Sequence, residues 1–240
     1  MTYFKMIAPA LLLAMPTAAL ATKKVDKIAI TPTSEKAAII IKAKDIPISD
    51  SYKTSFRILL RSYDAEQQTL RGGPLGGSVM LEAQSRLFTD GYLVADLKPG
   101  TYAFQSFSRQ DSWILCFNEN SLHFTIKPGE LLYLGEMNSE KHVRELETLA
   151  ISTGRTRTRK SEPINFFDGV STPDLSPVDD AELVAVAAMV KAKMPKTTVA
   201  PKAAEFGPAR FEPASDPLGV ARICGGYHKK WTQPKTDTEP

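Results

Sequence analysis

The segment "LKPGTYAFQSF", Leu97–Phe107, decides the fold, and its pattern returns in "IKPGELLYLG", Ile126–Gly135. In both segments a Lys-Pro-Gly unit separates two runs of apolar and aromatic residues. Such runs, when they are bounded by turn residues, are typical of β-strands. The repeated pattern therefore predicts strands that enter and leave two similar tight connections.

Proline and glycine account for both connections. Pro99 and Pro128 have the fixed φ that suits the second residue of a β-turn. Gly100 and Gly129 supply the positive φ that a type II turn requires at its third residue. Because no chemically active groups neighbour them, these residues are predicted to be structural turns rather than parts of a ligand-binding loop.

The region from residue 27 to about residue 135 is predicted to be a succession of short strands. Each run is rich in Ile, Val, Leu, Tyr and Phe and is bounded by Pro, Gly, Asp, Asn or Ser. The runs are "KIAIT", "AAIIIKAK", "TSFRILLRSY", "SVMLEA", "GYLVADL", "TYAFQSF", "SWILCF", "LHFTIK" and "ELLYLG". Frequent turns between short strands predict a mainly β fold, an antiparallel β-sandwich of about eight or nine strands.

The sequence beyond Gly135 changes character. Leu146–Ile151 is apolar enough to predict one more strand, and the Thr-Arg alternation that follows it predicts an extended edge. The sandwich domain is therefore assigned to residues 22–160. The "GGPLGG" segment, 72–77, lacks the Gly-Lys-Ser/Thr ending of a phosphate-binding loop and is predicted to be a loop between strands.

A turn region and one helix are predicted in residues 161–195. Ser176 suits the N-cap and Pro177 the first helical position. Asp179 and Asp180 then lie at the positive end of the helix dipole, which explains this acidic pair without acid–base chemistry. The amphipathic helix that follows has an apolar stripe at Leu183, Val186, Val190 and Met194, and Pro195 ends it.

Residues 196–240 are rich in Pro and Lys, with scattered apolar residues between them. This composition predicts an extended, flexible C-terminal arm. A docked piece is expected around "VARICGGYHKKW", where apolar, aromatic and cysteine residues return.

The N-terminus predicts export. Residues 1–21 combine a short leader carrying Lys5, an apolar run, and an Ala-Leu-Ala ending at Ala21, which is the pattern of a cleaved signal peptide. Pro9 and Pro16 interrupt the apolar run, which is shorter than the roughly 20 residues that a membrane span needs. The mature protein is therefore expected to be secreted or periplasmic, with no transmembrane segment after cleavage.

Composition excludes few partners, but it excludes nucleic acid. The formal net charge is +3, and cleavage after Ala21 removes Lys5 and lowers it to +2. A nucleic-acid-binding protein normally carries a marked excess of basic residues. The length allows one domain of ordinary size with an extension.

A resemblance emerges from these motifs. The motifs follow in the order "LKPGTYAFQSF", "LHFTIKPGELLYLGEM", a polar strand that starts at a Gly, and an Asp-rich lead into a helix that ends in Met-Pro. This succession resembles a group of secreted bacterial β-sandwich proteins. These share Pro-Gly-x-Tyr and Pro-Gly-Glu-x-x-Tyr-Leu-Gly turns, in the style of transthyretin-like or carboxypeptidase-regulatory-like domains. The resemblance covers about Phe56 to Pro195. It implies the sandwich fold and no activity.

The two cysteines, Cys116 and Cys224, are candidates for a disulfide, because an exported protein folds in an oxidising compartment. The alternative is two separate thiols. A thiol-dependent enzyme that uses Cys116 and His123 is a further alternative, since both residues flank the probable turn "CFNENSLH". The alternation of Leu122, Phe124 and Ile126 places His123 on the outer face and argues against that pairing.

No metal site or cofactor is predicted. His123, His142 and His228 are widely spaced, and no Cys or His pair has the spacing of a zinc site. All three histidines are expected at the surface.

Arg155, Arg157, Arg159 and Lys160 are the most distinctive charged residues. If the segment is extended, the three guanidinium groups share one face and form a candidate anion-binding stripe for phosphates or carboxylates of the envelope. A charged edge strand that discourages aggregation explains the same pattern. The leading hypothesis is a non-catalytic binding or structural module of the cell envelope, whose partner is an unidentified envelope protein or polymer. An anionic-surface binder is the alternative.

Overall fold

A computed structural model describes residues 24–43, 45–51, 54–71, 77–109, 113–157, 165–167, 172–211, 221–224 and 227–229. The predicted signal peptide, most of the "GGPLGG" loop, and Arg159 and Lys160 of the predicted stripe lie outside these residues. Within the described ranges, neither helix combines the length and apolar character needed to cross a membrane.

Strands dominate the described structure. They are β1 (Ala37–Lys42), β2 (Phe56–Asp64), β3 (Thr69–Leu70), β4 (Ser78–Glu82), β5 (Tyr92–Leu97), β6 (Gly100–Arg109), β7 (Trp113–Cys116), β8 (Ser121–Ile126), β9 (Leu131–Glu136), β10 (Asn165–Phe167), β11 (Lys202–Ala203), β12 (Gly207–Ala209), β13 (Ala221–Ile223) and β14 (Tyr227–Lys229). The helices are α1 (Ser139–Ser152), α2 (Asp180–Lys193) and a 3-10 turn at Val25–Lys27. The fold is mainly β, as the sequence predicts.

Two sheets form the sandwich. The four-stranded sheet has the order β11-β9-β1-β5, and β1 is parallel to β9 but antiparallel to β5. The eight-stranded sheet is built on the long strands β2 and β6. β3 and β4 pair with successive parts of β2, β7 and β8 pair with successive parts of β6, and β10 and β12 lie outside β7 and β8. The sandwich is therefore mixed, because β1–β9, β9–β11 and β7–β10 are parallel pairs.

Strand β1 of the four-stranded sheet has apolar side chains on both faces, so both faces of this sheet must be buried. Ile39 and Ile41 face the core between the sheets, whereas Ala38 and Ile40 belong to a second apolar cluster on the outer face. All four are fully buried. A strand that is buried on both faces reads as a continuous apolar run, which is what "AAIII" shows.

Both Lys-Pro-Gly units carry the chain from one sheet to the other. The first links β5 of the four-stranded sheet to β6 of the eight-stranded sheet, and the second links β8 back to β9. The connections lie at the same end of the sandwich, since Gly100 pairs with Ile126 across β6 and β8. The repeated motif thus makes two neighbouring arches between the sheets.

The two arches differ in local geometry. Gly129 has φ +72°, and the Glu130 N–H donates to the Lys127 carbonyl over 3.3 Å, which matches the predicted type II turn. A Cβ at Gly129 would lie 2.8 Å from the Pro32 carbonyl oxygen, so only glycine fits. The Lys127 N–H also donates to the Glu130 carboxylate over 2.9 Å and lowers the pKa of Glu130.

The type II prediction for the first arch is wrong. Gly100 has φ +152°, far from the roughly +80° of a type II turn. The reason is that Gly100 is already the first residue of β6 and is paired in the sheet.

The predicted strand "KIAIT" is also absent from residues 27–31, although Ile28 and Ile30 are buried. Their backbone groups bond outside any ladder: the Ile28 carbonyl accepts from the Thr197 hydroxyl over 3.2 Å, and the Ile30 carbonyl accepts from the Thr198 N–H over 2.9 Å. Ile28 and Ile30 therefore pack into the apolar cluster on the outer face of the four-stranded sheet without forming a strand.

Helix α2 covers the outer face of the four-stranded sheet through Val186, Met189 and Val190. Its N-cap is Asp179, whose side chain accepts from the Glu182 N–H over 2.8 Å, and not Ser176 as predicted. Ser176 lies beside the sheet instead, where its N–H donates to the Glu136 carbonyl over 2.8 Å. Ser176 is therefore bonded to the end of β9, and the helix starts only at Asp180.

The predicted strand at Leu146–Ile151 is wrong, because these residues belong to α1. Asn138 caps the helix by accepting from the Lys141 N–H, and Leu146 packs into the core between the sheets. Gly154, with φ +67°, ends it in a Schellman motif: the Arg155 N–H donates to the Ala150 carbonyl and the Gly154 N–H to the Ile151 carbonyl. The described part of the chain therefore has two α-helices where one was predicted.

The start of the predicted flexible arm is part of the sandwich. We call residues 202–211 the strap: β11 adds to the four-stranded sheet, and β12 adds to the eight-stranded sheet. Between them Phe206 packs against Phe104 and Phe124, with ring centroids 6.2 Å apart in each case. The strap closes the side of the sandwich with backbone hydrogen bonds and one aromatic ring, which the Pro-rich composition did not predict.

Candidate functional site

A groove with a mixed polar and apolar lining lies where the strap crosses the end of the eight-stranded sheet. Its volume is about 420 Å³. Four segments contribute to it, namely the β2–β3 turn, the β7–β8 loop with the start of β8, residues 172–173, and the strap. The lining residues are Gln68, Glu119, Asn120, Ser121, Leu122, Thr172, Pro173, Pro208, Ala209 and Arg210.

The turn that presents Gln68 is held by Asp64. The Asp64 carboxylate accepts from the Glu66 and Gln67 N–H groups, each over 3.1 Å, and pairs with Arg71. Arg71 and these N–H groups lower the pKa of Asp64. Gln68 itself has φ +51°, a conformation that non-glycine residues rarely adopt and that often marks a functional position.

Tyr63 holds the opposite wall. Its buried hydroxyl donates to the Arg210 carbonyl over 3.1 Å and accepts from the Arg210 N–H over 3.3 Å. The neighbouring Phe211 N–H donates to the Asn118 carbonyl over 3.0 Å, which ties the strap to the β7–β8 loop. The groove walls are therefore fixed to one another by hydrogen bonds to the backbone of the strap.

His123 contacts the strap and Tyr63. Its Nδ1 donates to the Pro208 carbonyl over 3.0 Å, and its ring lies 5.4 Å from that of Tyr63. A Cβ at Gly207 would lie 2.4 Å from the imidazole, so this strap position requires glycine. The glycine next to a proline in "FGPAR" was the available sequence signal for this close approach.

Cys116 and Cys224 form a disulfide, with their Cα atoms 5.5 Å apart. Both are buried, and they cluster with Ile114 on the outer face of β7. The Cys224 carbonyl also accepts a hydrogen bond from the buried Gln105 side chain. Cys116 thus presents no thiol in this structure, and the bond anchors the β13–β14 hairpin to the larger sheet.

The arginine stripe is not an extended strand in its described part. Arg155 directly follows the turn that ends α1, and Arg157 lies in the bend after it. The Arg155 guanidinium donates to the Phe166 carbonyl over 2.8 Å and lies 5.6 Å from the Phe167 ring centroid, while its own carbonyl accepts from Trp113 over 2.7 Å. Arg155 therefore joins the end of α1 to β7 and β10, and the structure does not align it with Arg157 on one strand face.

The histidines divide between buried and partly exposed positions. His142, which was expected at the surface, is fully buried in α1, and burial lowers its pKa. The side chain of His228 does not belong to the described part of the structure. In the described ranges, no three His, Cys, Asp or Glu side chains are placed to hold a metal ion.

The groove suits a ligand that has both polar and apolar groups. Gln68 and Asn120 offer carboxamides, Thr172 offers a hydroxyl, and Glu119 and Arg210 offer opposite charges. Leu122 and the prolines supply apolar surface beside them. Such a mixture favours hydrogen bonding to hydroxyl or amide groups of a ligand over attack on it. Sequence reasoning missed this groove, because its residues come from four segments that only the fold brings together.

Comparisons with protein-family models, with curated proteins and with solved structures found no match to this chain.

Proposed function

We propose that the protein is an exported, non-catalytic binding module of the cell envelope, and that it holds its ligand in the groove beside the strap. The groove carries this proposal, because it has room for a short ligand segment and walls fixed by Tyr63, Asn118 and the strap. Rigid walls reduce the ordering cost of binding. The ligand class is a polymer or protein segment rich in hydroxyl and amide groups.

Two observations support export. The first is the signal-peptide pattern of residues 1–21. The second is the Cys116–Cys224 disulfide, since such bonds persist in oxidising compartments and are rare in the cytosol. A ligand in the envelope follows from that location.

The test is retention of the purified mature protein on isolated envelopes of the cells that secrete it. The double variant Gln68→Ala/Asn120→Ala removes two carboxamides at exposed positions. We expect its affinity to fall several-fold to about a hundredfold, because each hydrogen bond contributes about 0.5–1.5 kcal/mol. Val184→Ser, at a 70% exposed position on α2, is the matched control and should bind as the unmodified protein does.

Equal retention of the groove variant and the unmodified protein would contradict the proposal, provided that both unfold at the same denaturant concentration. Arg157→Glu tests the anionic-surface alternative. Loss of binding in this variant alone, with a steep salt dependence, would transfer the site to the arginine segment.

A further inference from the structure

The exposed face of α2 is apolar, in contrast to that of α1. The exposed positions of α1 include Glu140 and Arg144, as expected for a helix at the surface. Every exposed position of α2 other than those of Asp180, Lys191 and Lys193 carries Ala or Val. A helix that is apolar all round is normally buried all round. We call this exposed set the alanine face, and it consists of Ala181, Val184, Ala185, Ala188 and Ala192.

The alanine face extends along the whole of α2. Its four alanines follow one another at spacings of four, three and four residues, so they lie on one side of the helix. Val184, which is 70% exposed, lies beside them. Small side chains allow another helix to approach closely, because the distance between packed helices depends on the side chains at the contact. A lipid surface instead favours large apolar and aromatic side chains. The alanine face therefore fits a second helix.

The charges beside the alanine face indicate which helix fits. Asp180 begins α2, Lys191 lies near its end, and both are exposed. Eleven residues make about three turns, so these two side chains lie along the same edge of the face. Within the described ranges neither forms an ion pair, whereas Lys193, towards the other edge, is paired with Asp90. An antiparallel copy of the same helix brings Lys191 beside Asp180 at both ends of the contact, because a two-fold axis makes equivalent edges meet.

We propose that α2 pairs with α2 of a second copy of this chain in an antiparallel, two-fold dimer. The axis passes beside Ala185, close to midway between Asp180 and Lys191 in the sequence. A helix of 14 residues is about 21 Å long, so the contact is smaller than a standard protein interface and the dimer is weak. This inference goes beyond the proposed function, because the groove is lined by other elements.

The dimer is tested by sedimentation equilibrium of the intact mature protein, from about 1 µM to about 1 mM at low salt. We expect the average mass to rise from that of a monomer towards that of a dimer over this range. Ala185→Glu places two carboxylates beside the axis and should weaken self-association at least about tenfold, while the helix is kept because Glu is a good helix former. Ile151→Glu, at a 70% exposed apolar position of α1, is the matched control and should associate as the unmodified protein does.

A protein that stays monomeric over the whole range overturns the inference. Equal self-association of Ala185→Glu and the unmodified protein also overturns it, because the copies would then meet through another surface.

The direction of the two helices is tested by charge exchange. Asp180→Lys has lysines at both edge positions and Lys191→Asp has carboxylates at both. Each variant alone should therefore associate several-fold more weakly than the unmodified protein at low salt. An equimolar mixture of the two variants restores opposite charges at both contacts and should recover the association. A mixture that associates no better than the separate variants contradicts the antiparallel dimer.

The other possible occupant of the alanine face is a membrane. We expect no binding of the monomeric protein to vesicles of phosphatidylglycerol and phosphatidylethanolamine. Vesicle binding that Ala185→Glu abolishes would give the face to lipid and overturn the inference. Retention on envelopes is a separate readout: at protein concentrations where the chain is monomeric, Val184→Ser should still bind as the unmodified protein does. The dimer and the groove are therefore rejected by different results.

Discussion

The two outer faces of the sandwich are covered in different ways. On the four-stranded sheet, Ala38 and Ile40 meet Val186 and Val190 of α2, and the contact is almost wholly apolar. On the eight-stranded sheet, one row across the strands contains Glu82, Arg57, Ser108 and Ile114 in register, and the first three are buried polar groups. The outer face of the four-stranded sheet is therefore held to its cover by many weak apolar contacts, whereas the outer face of the eight-stranded sheet depends on a few specific interactions.

The polar face has two such specific features. Arg57 Nε lies 3.2 Å from Glu82 Oε1, with side-chain exposures of 1% and 6%, and Gln84 donates to Glu82 over 2.7 Å. One row further along, Cys116 anchors the β13–β14 hairpin through Cys224. Loss of one partner of the ion pair leaves a buried charge that water cannot readily solvate, and loss of the disulfide removes a long-range cross-link, so changes on this face should have large effects.

Removal of the disulfide is the largest expected effect. Cys116→Ala with Cys224→Ala frees a loop of sequence separation 108 and should lower the free energy of unfolding by about 4 to 5 kcal/mol in the chain-entropy model. Urea unfolding with and without reductant measures this. If reductant lowered the free energy of unfolding of the unmodified protein no more than that of the double variant, the disulfide would not stabilise the larger sheet and the contrast between the two faces would fail.

Removal of one buried charge comes next. Glu82→Leu leaves Arg57 without its carboxylate partner and should cost about 3–5 kcal/mol. Arg57→Met combined with Glu82→Leu should recover most of that loss, since an apolar pair replaces an ion pair at little cost. A double-mutant cycle measured by urea unfolding gives the coupling, and additive losses would show that the pair is not a unit.

A small change on the apolar face should have a modest effect. Ile40→Val removes one buried methylene beneath α2 and should lower the free energy of unfolding by about 0.5–1.5 kcal/mol. Ile48→Val, at a position that is 43% exposed, is the matched control and should change it by less than about 0.5 kcal/mol. A larger loss at Ile40 than at Glu82 would reverse the contrast between the faces.

The smallest effect is expected from the polar contact at the edge of the apolar face. Lys193 at the end of α2 lies 3.4 Å from Asp90, and both side chains are exposed. Lys193→Gln should therefore change the free energy of unfolding by no more than about 1 kcal/mol, and added salt should reduce the difference. A loss as large as that in Glu82→Leu would mean that α2 is held by charge after all.

Local patterns were sufficient for most of the strands. Eight of the nine predicted runs are strands, because alternation and turn residues act within a few positions. Helix α1 was missed, since Leu146–Ile151 reads as a short apolar run whose period is ambiguous on its own. Asn138 before it and Gly154 after it were the helix signals, and their spacing would have identified it.

The candidate site was much less predictable. The cysteine pairing could be proposed from the sequence, because the predicted compartment is oxidising and the chain has two cysteines. The groove depends on the strap lying beside the β7–β8 loop, a contact between residues that are far apart in the chain. The burial of His142 likewise results from the packing of α1 on Phe107 and Phe117, which a lone histidine in a charged segment does not reveal.

The strap also completes the two sheets with residues that come late in the chain. Strands β8 and β9 lie well before residues 202–211 in the sequence, so until the strap docks their outer edges and the ring of Phe124 lack the partners that it supplies. Unpaired edges of this kind can pair with other chains. A chain that stops before the strap would keep both sheets open along one side. The strap therefore protects the folding protein from pairing with other copies of itself.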